Sequence, residues 1–77
     1  MNKERRQRLE RIIESLESHR DGLYDILEEE QFAYENLPEA IRESERGEAM
    51  SENTSDIEQA ASDVGEIINL LQDIVLR

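Results

Sequence analysis

The sequence predicts an all-α fold: an antiparallel hairpin of two long, coiled-coil-like amphipathic helices. Three observations predict it. Apolar residues recur at helical spacing over two stretches of equal length, a proline-containing segment separates the stretches, and acids avoid the apolar positions almost completely.

In the first stretch, Leu9 at heptad position a puts Leu16 and Leu23 at a as well. Ile12 and Ile26 then fall at d with His19 between them, and Ile13 and Leu27 at e with Arg20 between them. An a/d/e stripe is about 100° wide, broader than the a/d seam of a two-stranded coil. The first helix is expected over residues 3–35, with Glu30 as the one clear acidic intruder in its stripe.

A connector is expected over residues 36–43. Proline disfavours the α conformation in the residue before it, so Pro38 should stop the first helix near Glu35 or Asn36. Proline also suits the first turn of a new helix, which allows one short turn over 38–42. Ser44 is the expected N-cap of the second long helix, with Glu45 and Glu48 suiting its positive end; Ser51 is the alternative start. Gly47 weakens the earlier start by up to about 1 kcal/mol.

The second helix is expected over residues 44–76. Met50, Ile57, Val64 and Leu71 take position a, Ala60, Ile67 and Ile74 take d, and Ala61, Ile68 and Val75 take e. Asn53 and Thr54 are its polar exceptions. Residues 1–77 thus read as a single helical-hairpin domain. Equal lengths and a short connection favour antiparallel packing. A symmetric connector would place Leu9 near Leu71, Leu16 near Val64, Leu23 near Ile57, and His19 opposite Ala60 and Ala61. Arg5, Arg6 and Arg8 would then lie beside Asp73 and the negative end of the second helix.

Chains below about 70–80 residues usually need disulfides, a metal or oligomerisation to close a core. This chain has no cysteine and one histidine, so oligomerisation remains. If the hairpin closes over a and d, the e residues Ile13, Leu27, Ile68 and Val75 form an apolar strip facing water. A second copy laid on it would give a homodimeric four-helix bundle. The expected oligomer interface is Leu9, Ile13, Leu16, Leu27, Val64, Ile68, Leu71 and Val75. A different protein supplying the missing helices is the competing partner.

The net charge of −11 is uneven: residues 1–11 carry +3 and the remainder −14. Apart from its basic tip, this surface repels nucleic acid and attracts basic partners. Direct nucleic-acid binding is therefore not expected. No apolar run approaches the roughly 18 residues of a membrane span. The charged opening leads into an amphipathic pattern and not into a solid apolar block, so a cytoplasmic protein is expected.

Glu10, Glu14, Glu17, Asp21, Asp25 and Glu28 are spaced by three or four and form one carboxylate column. Neighbours about 5–6 Å apart are comparable with phosphates along a nucleic-acid backbone. A solvated, solubilising face is the plainer reading. An acidic mimic of nucleic acid that occupies the basic groove of a host defence protein is the sharper one. Arg42 and Arg46 near the connector are the candidate anion ligands if the protein instead sequesters nucleotides at an oligomer interface.

Enzymatic chemistry has no foothold. There is no cysteine, no credible Ser–His–Asp set, and Gly22, Gly47 and Gly65 lie too far apart for a phosphate loop. No metal site and no cofactor are expected, since ion-binding loops and Glu-x-x-His pairs are missing. His19 reads as a core-edge residue before it reads as a pH switch. Phe32, Tyr34 and Leu37 are expected to close the loop end together, and Tyr24 at position b to be exposed.

The connector Glu35-Asn36-Leu37-Pro38-Glu39, followed by Ser44-Glu45-Arg46-Gly47-Glu48-Ala49-Met50, and the opening Met1-Asn2-Lys3-Glu4-Arg5-Arg6 carry a resemblance. Together they resemble small acidic helical-hairpin proteins encoded in bacteriophages and prophages. That family brings no functional residues to carry over. The resemblance implies a setting: a viral accessory protein inside a bacterial cell, acting through a host or phage protein with a basic surface.

Overall fold

The computed structural model describes residues 1–77 and is all-helical. Helix α1 spans Lys3–Glu35, a single turn α2 spans Glu39–Arg42, and α3 spans Glu45–Leu76. The long helices lie against each other as a hairpin 58 × 14 × 12 Å in extent.

Local chemistry sets the ends. The Asn2 side-chain oxygen accepts a 2.8 Å hydrogen bond from the Arg5 N–H, filling one of the four donor positions that a helix start leaves open. At the other end of α1, the Asn36 backbone N–H and side-chain amide both donate to the Phe32 carbonyl, at 3.1 and 2.7 Å. Pro38 then starts α2 with φ −56° and ψ 144°.

Ser44 stands at the N-cap position of α3, but its hydroxyl donates to the Ile41 carbonyl and makes no cap bond. The serine thus ties α3 back to α2. Helix α3 runs unbroken through Asn53 and Thr54, where the Thr54 hydroxyl donates to the Met50 carbonyl at 2.9 Å. With its polar group satisfied inside its own helix, Thr54 can sit half-buried in the seam.

The seam runs along the a and e rows, which corrects the expectation that a and d would close it. Five residues are buried: Ile13 and Leu27 from α1, and Gly47, Ala61 and Ile68 from α3. All five lie on e rows. The a residues Leu9, Leu16, Leu23, Ile57, Val64 and Leu71 are half-buried beside them, as is Val75. Ile13, Leu27, Ile68 and Val75 are therefore not a strip facing water. The d row takes that place, with Ile12, Ile26 and Ile67 each about half exposed (48–50%).

Gly47 explains the choice. A Cβ built on it would lie 2.1 Å from the Arg42 carbonyl oxygen and 2.6 Å from the Arg42 Cα. Only glycine lets the α2 backbone approach α3 this closely. Turning Gly47 toward the connector fixes the rotation of α3 about its own axis. The residues seven, fourteen and twenty-one further on, Thr54, Ala61 and Ile68, then face inward.

Leu23 and Ile57 line one groove as expected, but toward the termini the alignment is offset from the symmetric expectation. Arg20, expected opposite residue 60, instead lays its Cδ 4.0 Å from the Cβ position of Gly65. Glu10 and Ile13 share a groove with Gln72 and Val75. The connector is asymmetric: α2 packs on the first turn of α3, so α3 overshoots the end of α1. Phe32 stays 69% exposed while Tyr34 and Leu37 are half-buried, so the expected three-residue cluster at the loop end does not form.

Gly22 contrasts with Gly47. It lies in the middle of α1 with nothing within 4 Å of an added Cβ. Glycine inside a helix costs roughly 0.5–1 kcal/mol relative to alanine. Gly22→Ala is accordingly expected to stabilise the hairpin by about that amount, read as a higher urea midpoint at unchanged slope.

Candidate functional site

The helical repeat that sends the e rows inward leaves the d rows of both helices on one broad face. Ile12 and Ile26 come from α1, Ile67 and Leu70 from α3; Leu70, at position g, is 57% exposed. A groove on this face is lined by Leu23, Ile26 and Glu30 from one helix and Asn53, Ile57 and Ala60 from the other. Nearer the termini, Arg5 and Arg8 flank Leu9 and Ile12. His19 lies midway along the same face and is exposed, not packed against Ala60 and Ala61.

The chain exposes more area than a compact monomer of its mass. A compact monomer of 9.0 kDa exposes about 4,900 Å² by the usual scaling with mass. This chain exposes 5923 Å². The excess of about 1,000 Å² accompanies the elongated 58 × 14 × 12 Å shape.

The expected interface residues divide between two places. Ile13, Leu27 and Ile68 are buried between the helices of one chain and present almost nothing outward. Leu9, Leu16, Val64 and Leu71 are shared, half-buried in the seam and half open toward the d-row face. Sequence reasoning placed Ile12, Ile26 and Ile67 in the seam and left Leu70 outside every stripe. The signal for exchanging the d and e rows was Gly47.

The opposite side of the hairpin is acidic. Glu10, Glu14, Asp21, Asp25 and Glu28 are exposed and Glu17 is half-buried. The chain's one ion pair joins the Arg20 guanidinium to the Asp21 carboxylate at 3.5 Å, with 30% and 71% of the two side chains exposed. The other carboxylates of the column meet no cation within the chain. Arg5, Arg6 and Arg8, expected beside Asp73, form no ion pair with it. No protein-family model matches the chain, and no curated protein or solved structure matches it.

Arg42 and Arg46 are exposed at the connector end, among Glu39, Glu43, Glu45 and Glu48. No group of three or more His, Asp or Glu side chains is placed to hold a metal ion. No helix is long and apolar enough to cross a membrane. What the surface offers is one apolar face and one acidic face, back to back on a rod.

Proposed function

We propose that this chain is a non-enzymatic interaction protein. It pairs with a second copy through its apolar face into a four-helix bundle and presents its carboxylate columns outward to a basic partner protein. The setting we propose is that of a phage accessory protein in the bacterial cytoplasm. One observation carries the reading: Ile12, Ile26, Ile67 and Leu70 stand about half exposed along a single face. Burying such side chains fully contributes about 1.5–3 kcal/mol each, so the half that remains exposed on four residues per chain is a substantial driving force.

The second copy fits this face because it offers the same strip. Stacking the two strips leaves the carboxylate columns on the outer surfaces, where like charges of the two chains are farthest apart. An acidic inhibitor that occupies a nucleic-acid groove would use those same outer columns, so the two readings differ in the target and not in the assembly.

Sedimentation equilibrium at micromolar concentration tests the assembly. The wild-type chain is expected at twice its 9.0 kDa mass. The double substitution Ile12→Glu, Ile67→Glu is expected at the single mass with its helical circular dichroism retained, because both positions lie outside the seam. A wild-type protein that stays monomeric at that concentration overturns the proposal. So does a double variant that still pairs.

A further inference from the structure

Resting on that pairing, we infer that the two copies meet antiparallel, the connector of one lying over the open end of the other, with His19 near the two-fold axis. The apolar face has a polarity. Its terminal end carries Arg5 and Arg8 beside Leu9 and Ile12. Its connector half carries Glu30 and Asp56 beside Ile26 and Ala60. None of these four charges is paired within the chain, since the one ion pair is Arg20 with Asp21.

A parallel pairing with both connectors at one end sets α1 on the second copy's α3 and brings Glu30 of each chain onto Asp56 of the other in a partly desolvated groove. An antiparallel pairing removes that repulsion and sets Arg8 of each chain toward Glu30 of the other. Apolar area sets how tightly such faces adhere, while charge complementarity sets orientation.

Residue spacing agrees with this independently. On α1 the d row runs Arg5, Ile12, His19, Ile26, Ala33 at intervals of seven. A two-fold axis across the hairpin at His19 sets α1 against the second copy's α1 running the other way. Ile12, seven residues before His19, meets Ile26, seven after it. Arg8 and Glu30, eleven before and eleven after, meet as well. One axis position thus satisfies the apolar pairs and the charged pairs together. The exposed imidazole of His19 falls where the two strips cross, and it is the one polar interruption between Ile12 and Ile26.

The chain has no cysteine, so Glu35→Cys gives a single spin-label site at the end of α1. Pulsed electron resonance on the labelled protein is expected to find about 50 Å between the two labels, since sixteen residues separate position 35 from the axis in each copy. A separation below about 25 Å, the span of neighbouring helices in one bundle, puts both connectors at one end and overturns the antiparallel assignment while leaving the pairing intact. A monomer mass for the same sample overturns the pairing itself.

A charge exchange gives the second test. Arg8→Glu is expected to weaken self-association about tenfold, counting two symmetry-related exposed pairs. Adding Glu30→Arg to the same chain is expected to restore most of it. An Arg8→Glu variant that associates as the wild type does overturns the proposal.

Discussion

Ile68→Ala is expected to cost the hairpin about 2–5 kcal/mol, the range for truncating a buried aliphatic side chain to alanine. Ile68 is 2% exposed, the largest fully buried side chain in the molecule. It sits on the α3 row that faces α1, and the chain has only four other buried residues to compensate. Urea denaturation followed by circular dichroism reads the loss, at one fixed protein concentration because self-association adds to apparent stability. For a domain of this size each kcal/mol moves the melting temperature by about 4–8 °C. Ile67→Ala is the control. That neighbour is 50% exposed, so its truncation should leave seam packing alone and act through self-association. Equal losses in dilute protein for the two substitutions would contradict the assignment of the seam to the e row.

Gly47→Ala is the second large effect, expected to destabilise by about 1–3 kcal/mol or more, the usual cost of forcing an atom into filled space. The added methyl would meet the Arg42 carbonyl oxygen at 2.1 Å, and backbone cannot swing aside as a flexible side chain can. Helix propensity alone predicts the opposite sign, since alanine is favoured over glycine by up to about 1 kcal/mol in a helix. The experiment therefore separates local preference from tertiary contact by direction as well as by size. Paired with Gly22→Ala, it compares two glycines of one chain that should respond with opposite signs in the same urea titration.

Gly47 also shows why only part of this molecule was legible in its sequence. Helix positions could be read because Leu and Ile recur at helical spacing and because Pro38 acts on the backbone before it. The width of the apolar stripe was legible too. Which two of its three rows would close was not, because d and e are nearly equal in content. Ile12, His19 and Ile26 on one compare with Ile13, Arg20 and Leu27 on the other, and each row has one polar member. The tie is broken by a tertiary contact between Gly47 and Arg42, where spacing carries no information. Read only as a weak point in a helix, Gly47 concealed the rotation it determines. Alignment was missed for a related reason. Equal helix lengths suggest a symmetric turn, whereas α2 folds onto α3 and the pairing is offset toward the termini.

The acidic column was visible from spacing alone, since side chains three and four apart on a helix share a face whatever lies behind it. Its members meet α3 at their edge, where Glu10, Glu14 and Glu17 border a groove closed by Gln72 and Leu76. The apolar face was visible only as a surplus, and its location depended on the outcome at the seam.

Arg20 against Gly65 has a consequence for how the hairpin avoids sliding. A ridge built from interchangeable leucines and isoleucines tolerates displacement by a whole heptad, because each side chain would drop into an equivalent socket. Arg20 would not. One heptad either way, its long stem would press on Glu58 or Gln72 in place of the vacant spot at Gly65. A single mismatched residue can thereby make one placement of two greasy rods distinguishable from its neighbours, much as a notch makes one key position differ from the next.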